Sequence, residues 1–176
     1  SVKGTQADIP RIASEFGMSV TQGIWISNIE EDNEKEITRA IEVINANRNI
    51  TLVVVGNESM YRREVDLPRL IEYIEQVRSQ IKVPVTTAET WDIWLKYPQL
   101  AQHVDVVAAH ILPFWEKIPA GASVNFVLEK AGELKKQFSQ KPLLLGEVGW
   151  PSFGRDRGAA EADQADQAIY LRTLLN

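Results

Sequence analysis

The chain has 176 residues, a net charge of −5 and no cysteine. The length allows one domain with a sizeable core, and the acidic balance without a basic stripe argues against a nucleic-acid partner. The absence of cysteine excludes a disulfide framework and a thiolate nucleophile, and His103 and His110 are too far apart for a helical metal-binding pair. We therefore expect no metal and no cofactor.

Strand-like and helical patterns alternate along the whole chain. Short apolar runs rich in branched side chains predict five buried strands, at residues 19–27, 50–58, 83–89, 104–112 and 142–147. Apolar residues at helical spacing fill the gaps, beginning with an opening helix over residues 6–16. This alternation implies right-handed crossovers and a parallel sheet in a single domain over residues 1–176.

Five strands are few for a closed barrel of alternating strands and helices. An eight-stranded (β/α) barrel takes about 250 residues, and about 200 at least. Two interpretations of the strand count therefore remain open. The fold is either an open five-stranded sheet or a barrel that lacks some of its strands.

Three of the predicted strands end on a glutamate, and in two of them, those ending at Glu58 and Glu147, the glutamate closes a continuous apolar run. A carboxylate at the end of a buried strand is costly unless it faces water or a partner, and the carboxyl ends of parallel barrel strands are where active sites lie. The two residues are separated by about three strand–helix units, so they can face each other across a barrel mouth. A pair of carboxyl groups about 5 Å apart is what a retaining glycosidase needs.

The alternative is that each glutamate forms an ordinary ion pair with a nearby arginine, such as Arg62, Arg63 or Arg155. Ion pairs at strand ends are common, and the pattern by itself gives the two alternatives about equal weight.

Tryptophans favour the carbohydrate interpretation. Four of the five follow predicted strand ends: Trp25, Trp91, Trp115 and Trp150. An indole ring can stack on the flat apolar face of a sugar while its N–H reaches a hydroxyl. Any single tryptophan is more often a core residue, but four at one edge together predict a carbohydrate cleft.

Three further polar residues at strand ends are candidate binding residues. The Asn57 amide is placed to hold a sugar 2-hydroxyl, although a turn role is the alternative. Glu89 is predicted to bind hydroxyls or to influence a neighbouring carboxyl, with a helix N-terminal charge as the alternative. His110 lies in an apolar strand and contacts ligand if it points inward near the mouth; otherwise it is a core histidine.

Two motifs resemble family 17 glycoside hydrolases. Val55-Gly56-Asn57-Glu58 is similar to their Gly-Asn-Glu strand end, and Gly146-Glu147-Val148-Gly149-Trp150-Pro151-Ser152 to their Glu-Thr-Gly-Trp-Pro-Ser strand end. The second motif is quite specific, and the order of the two strengthens the match. Thr86 to Trp91, His110 to Glu116 and Gly154 to Gly158 resemble the bacterial branch, which includes glucanase or glucanosyltransferase domains attached to membrane β-glucan synthases.

The resemblance implies an incomplete (β/α)8 barrel. In this family the acid/base follows the fourth strand and the nucleophile the seventh, so Glu58 is implied as acid/base and Glu147 as nucleophile. The first, second and eighth strands of the family domain are then absent. Open sheet edges imply either self-association or membership of a longer chain, for instance a membrane-bound synthase. A periplasmic or other extracytoplasmic location is implied in the same way.

The sequence thus predicts a retaining enzyme acting on β-1,3-glucan without a cofactor, by hydrolysis or by transfer to a second sugar. The competing hypothesis is a catalytically inactive carbohydrate-binding or assembly fragment. A small nucleotide-binding sheet is disfavoured because no glycine-rich phosphate-binding loop follows any strand.

Overall fold

The computed structural model describes all 176 residues and contains the five predicted strands. They are β1 (Val20–Ile24), β2 (Ile50–Asn57), β3 (Val85–Thr90), β4 (Val107–His110) and β5 (Leu143–Glu147). All are parallel, and each pairs with the next strand of the chain. Sequential order without a reversal is the order of a (β/α) barrel rather than of a doubly wound sheet. The five strands form a half-barrel, which confirms the incomplete barrel expected from the sequence.

Six α-helices accompany the strands. They are α1 (Ile9–Glu15), α2 (Glu30–Ala46), α3 (Leu67–Arg78), α4 (Trp91–Lys96), α5 (Ala120–Gln137) and α6 (Gln164–Leu175), with 3-10 turns at Gly4–Asp8 and Pro98–His103. The predicted opening helix therefore starts as a 3-10 turn. Asp66 caps α3 by accepting a hydrogen bond from the Arg69 amide at 3.0 Å, as residues at this position commonly do. None of the helices combines the length and the apolar character needed to cross a membrane.

The core lies between the convex face of the sheet and the helices. Val53 and Val55 of β2 are fully buried in it, whereas Val54 between them lines the concave groove. This alternation follows from the period of two along a strand. Because the strands are parallel, all of their carboxyl ends reach the same edge, where the predicted site residues meet.

Tyr170 on α6 offers a test of the core beside this edge. Its ring is fully buried and its hydroxyl has no hydrogen-bond partner, and burial raises the pKa of the phenol. Tyr170→Phe removes this unpaired polar atom, so we expect the free energy of unfolding in urea to stay unchanged or to rise by about 1 kcal/mol.

Tyr73→Phe is the matched control for this prediction. The Tyr73 hydroxyl is also buried but accepts a hydrogen bond from the Asn33 side chain at 3.2 Å. Removal of the Tyr73 hydroxyl leaves an N–H of the Asn33 side chain unpaired and should lower the free energy of unfolding by about 1–3 kcal/mol. Equal losses in the two variants would contradict the assignment of the Tyr170 hydroxyl as unpaired.

Candidate active site

Glu58 lies on a sharp turn directly after β2. Its φ is +53°, and Gly56 two residues earlier has φ +79°. The Glu58 amide donates to the Ala88 carbonyl at 2.7 Å, and its carbonyl accepts from the Arg62 amide at 2.8 Å. Left-handed backbone at a non-glycine residue is uncommon and clusters at functional sites. The turn leaves the Glu58 side chain 20% exposed at the strand edge.

Gly56 is required by this turn for two reasons. Its φ disfavours any side chain, and a Cβ would lie 2.7 Å from the Ser59 Oγ. We expect Gly56→Ala to lower the free energy of unfolding by about 2–4 kcal/mol, as the sum of backbone strain and overpacking. The control is Gly132→Ala in α5, where a Cβ meets nothing within 4 Å and should stabilise the helix by up to about 1 kcal/mol. If urea titrations showed that Gly56→Ala and Gly132→Ala change the free energy of unfolding in the same direction, the prediction would be contradicted.

His110 lies between Glu58 and Glu147. Its Nδ1 is 2.8 Å from the Glu58 Oε1, and its Nε2 is 3.7 Å from the Glu147 Oε1. The imidazole is only 2% exposed, whereas the Glu147 side chain is 50% exposed. A Cβ at Gly146 would come within 3.1 Å of the imidazole, so the glycine before Glu147 leaves room for the ring. His110 is thus a buried histidine with a carboxylate partner that also lies between the two glutamates, and its contact with a ligand stays a prediction.

The two carboxylates are close enough for joint chemistry. The facing ligand atoms of Glu58, His110 and Glu147 all lie within 4.8 Å of one another. Retaining glycosidases have carboxyl groups about 5 Å apart, and inverting enzymes need at least about 6.5 Å. Such a cluster can also offer ligands to a metal ion, but a glycosidase mechanism requires both carboxylates free.

The alternative arrangement, in which each glutamate forms an ion pair with a nearby arginine, is not found in the structure. Both glutamates contact His110, and neither forms an ion pair with an arginine. Arg62 instead pairs with Glu64 at 2.6 Å and donates to the Asn57 carbonyl. Asn57 itself lines the concave groove beside Glu147.

Glu89 does not occupy the position expected of a residue that binds sugar hydroxyls. Its side chain is fully buried, and its carboxylate accepts the amide N–H groups of Met60 at 2.8 Å and Tyr61 at 3.2 Å. Burial raises the pKa of Glu89, an effect opposed by these hydrogen bonds and reinforced by the nearby Glu58 charge. The prediction of direct substrate contact is therefore wrong in this structure, because the turn after β2 covers the carboxylate.

Three of the four predicted tryptophans keep an accessible ring. Trp25 is 41% exposed and Trp115 is 57% exposed, and Trp91 is half-buried at the start of α4. A cation covers one face of each ring, at 4.5–4.7 Å from the centroid: Arg62 on Trp25, Lys130 on Trp91 and Arg157 on Trp115. One face of each of these three rings is thus already occupied by a cation–π contact.

Trp150 is the exception among the four. It is 5% exposed, its indole N–H donates to the Glu161 carbonyl at 2.8 Å, and its ring packs between Phe114 and Tyr170 at 5.4 and 5.8 Å. The expectation that Trp150 stacks on a sugar is corrected here. The segment leading to α6 folds over this ring and places it in the core.

Two depressions adjoin the carboxylate pair. The larger, of about 390 Å³, is the concave face of the half-barrel, lined by strand residues such as Val54 and Leu145 and, at its edge, by Trp25, Asn57, His110 and Glu147. The other, of about 320 Å³, is lined by Glu58, Trp91, Trp115 and Glu147, and also by Tyr61 and Glu116. Sequence reasoning missed these last two residues, although Tyr61 follows Glu58 by three positions and Glu116 directly follows Trp115.

Residues 2–176 match the family described as the BtgE/BtgC glycoside hydrolase domain. The chain belongs to this family. The family's description agrees with the glycoside hydrolase that the two strand-end motifs predict.

Fungal proteins are among its relatives. The chain is 30% identical over 153 residues to the probable glucan endo-1,3-β-glucosidase btgC of Aspergillus flavus, covering 78% of this chain and 22% of that protein. It is 28% identical over 174 residues to the probable β-glucosidase btgE of Aspergillus oryzae, covering 95% and 29%. The chain thus spans less than a third of the length of these relatives. The narrower expectation of a bacterial branch stays a prediction.

Solved structures agree on the fold. The family 17 β-1,3-glucanosyltransferase of Rhizomucor miehei superposes with a TM-score of 0.85 at 23% identity, over 95% of this chain and 64% of that one. An active-site mutant of that enzyme in complex with laminaritriose gives a TM-score of 0.89 at 21% identity, over 99% and 67%. At these identities the likeness establishes the barrel architecture alone.

Proposed function

We propose that this domain cleaves β-1,3-glucan by a retaining double displacement. The observation that carries the proposal is the pair of carboxylates of Glu58 and Glu147, with ligand atoms within 4.8 Å at the carboxyl edge of the half-barrel. That separation suits direct attack by one carboxylate and leaves no room for an intervening water of the inverting mechanism.

The two glutamates take different roles in this proposal. The Glu147 carboxylate attacks the anomeric carbon, while Glu58 gives its proton to the departing glycosidic oxygen. The glycosyl–Glu147 ester is then broken by water or by a sugar hydroxyl, whose proton returns to Glu58. His110 holds the Glu58 carboxylate through the contact at Nδ1, and its Nε2 lies 3.7 Å from the Glu147 Oε1. The greater exposure of Glu147 suits a group that must reach the sugar ring.

The substrate class is supported by the aromatic residues near the pair. A chain cut internally needs sugar units on both sides of the broken bond, and indole rings such as Trp25, Trp91 and Trp115 suit them. The Aspergillus flavus relative is named for activity on 1,3-β-glucan, and an active-site mutant of the Rhizomucor miehei enzyme was captured with laminaritriose. Both facts concern those proteins and favour the same substrate class here.

Hydrolysis and transfer share the same intermediate. They differ only in whether water or a second sugar accepts the glycosyl group. Tyr61, Trp91 and Trp115 line the depression that Glu58 also lines, and aromatic faces beside the acid/base favour binding of an acceptor sugar. We also propose an extracytoplasmic location, which rests on the family resemblance alone.

Mass spectrometry of products from β-1,3-gluco-oligosaccharides tests the proposal, with Glu147→Gln analysed in parallel. New oligosaccharides made only by the wild type support it, and their lengths separate hydrolysis from transfer. Proton NMR of the first product should show the β anomer. No product from a folded wild-type chain would overturn catalysis by this chain, and binding without turnover would identify the competing hypothesis of a carbohydrate-binding fragment.

A further inference from the structure

The turn that carries Glu58 does not satisfy all of its own amides. Gly56 and Glu58 both adopt left-handed backbone conformations, and four internal amide bonds close the turn, from Arg62, Arg63, Glu64 and Val65. The amides of Met60 and Tyr61 point away from these bonds. Since buried N–H groups need acceptors, something outside the turn must satisfy them.

Glu89 at the end of the neighbouring strand β3 supplies that acceptor. Its Oε1 accepts from the Met60 amide at 2.8 Å and from the Ser59 hydroxyl at 3.4 Å, and its Oε2 accepts from the Tyr61 amide at 3.2 Å. The side chain is fully buried. Both carboxylate oxygens are thus used on the three residues that directly follow Glu58, and none is left for a ligand.

Burial of a charged carboxylate costs folding free energy. Its use to accept two amide N–H groups therefore indicates that the geometry of these hydrogen bonds is important. The adjacent backbone contributes as well, because the Ala88 carbonyl accepts the Glu58 amide at 2.7 Å. Residues 88 and 89 therefore hold the turn on both sides of the Glu58 Cα. Charge-assisted hydrogen bonds are shorter and stronger than neutral ones. A carboxylate is therefore a suitable acceptor for holding a turn with strained backbone.

We propose that Glu89 is a positioning residue, whose buried carboxylate holds the turn after β2 so that Glu58 is aimed at the glycosidic oxygen. This inference rests on the acid/base role of Glu58 in the proposed function. It gives Glu89 a part in the reaction without any contact with the substrate.

Glu89→Gln is the sharpest variant for the test. The amide keeps the shape of the carboxylate and one acceptor oxygen, but its NH₂ group then faces an N–H of the turn and the turn must shift. Displacements of about 1 Å near reacting groups can cost about 100-fold in rate. The shift should act only on steps that need a proton from Glu58.

The kinetic experiment compares two β-1,3-linked disaccharide glycosides, one with a methoxide and one with a 2,4-dinitrophenolate leaving group. The second group departs without protonation. We expect Glu89→Gln to lower kcat/KM by about 10–100-fold for the methyl glycoside and by less than about threefold for the dinitrophenyl glycoside. Equal losses on both substrates would overturn the proposal, because they would indicate a general loss of structure.

Asp105→Asn is the matched control. Its carboxylate accepts the Val85 amide at 2.8 Å at the opposite end of β3. The variant therefore loses a charge-assisted bond to the same strand without touching the Glu58 turn. Any kinetic loss in Asp105→Asn should be equal for the two leaving groups. If Asp105→Asn lowered kcat/KM for the methyl glycoside more than for the dinitrophenyl glycoside by as large a ratio as Glu89→Gln does, the proposal would also be overturned.

Amide hydrogen exchange tests the holding role without any turnover. In Glu89→Gln, exchange at Met60 and Tyr61 should become at least about tenfold faster than in the wild type, while exchange in β3 changes little. Unchanged protection at both amides would overturn the inference. If the wild type cleaves neither glycoside, the proposed function fails for this chain, and the exchange result still decides whether Glu89 holds the turn.

Discussion

Glu147→Gln should lower kcat on β-1,3-gluco-oligosaccharides by about 10⁴-fold or more. A carboxamide cannot form the glycosyl ester, and removal of a nucleophile abolishes the step rather than slowing it. The substitution keeps the size of the side chain at a half-exposed position, so the fold and both depressions should persist. Steady-state kinetics with reducing-end detection measures the loss.

Binding separates chemistry from structure in this variant. Oligosaccharide affinity measured by calorimetry should stay within about threefold of the wild type, because the tryptophan faces are untouched. Glu42→Gln is the control, an exposed glutamate on α2 far from the site, and it should retain full activity. Residual turnover above about one per cent in Glu147→Gln, with contaminating activity excluded, would contradict the role of Glu147 as nucleophile.

Glu58→Gln should show a loss that depends on the leaving group. For glucan, whose departing oxygen must be protonated, we expect kcat/KM to fall by about 10²–10⁴-fold. For a dinitrophenyl glycoside, glycosylation of Glu147 should proceed nearly as in the wild type and the intermediate should accumulate. A burst of dinitrophenolate in stopped-flow absorbance would report this accumulation.

Added azide should restore steady turnover in Glu58→Gln. The small anion attacks the glycosyl–Glu147 intermediate without needing a general base, and the product should be a glycosyl azide of β configuration because each displacement inverts once. Glu64→Gln serves as control, since Glu64 lies on the same turn and pairs with Arg62 but faces no substrate. Equal losses on both substrates in Glu58→Gln, or an α-azide, would contradict the assignment of acid/base.

Much of the fold is readable from local pattern. Each β-strand coincides with a short apolar run, because parallel strands covered by helices must be apolar almost throughout. The even alternation of strands and helices predicts a parallel sheet, whose carboxyl ends, with Glu58 and Glu147, lie at one edge; the sequential pairing of the strands is seen only in the structure. The distance of three strand–helix units between them is enough to expect that they meet.

The environments of the site residues, by contrast, depend on contacts between segments that are distant in sequence. His110 is predicted only as a residue of an apolar strand, but its place between the two glutamates depends on the register shift between Ala109 and His110 and on the missing side chain of Gly146. Glu89 and Trp150 are both predicted as binding residues because they lie at or just after strand ends. The turn after β2 buries Glu89, and the segment leading to α6 buries Trp150.

The sequence by itself therefore determined the succession of strands and helices, the edge at which the proposed site lies and the two glutamates assigned to it, because hydrophobic period and strand-end chemistry are local properties. Only the tertiary structure decided which polar and aromatic groups at that edge remain open to a ligand. Burial depends on segments distant in sequence that fold over a residue, and a local sequence pattern does not predict where those segments pack.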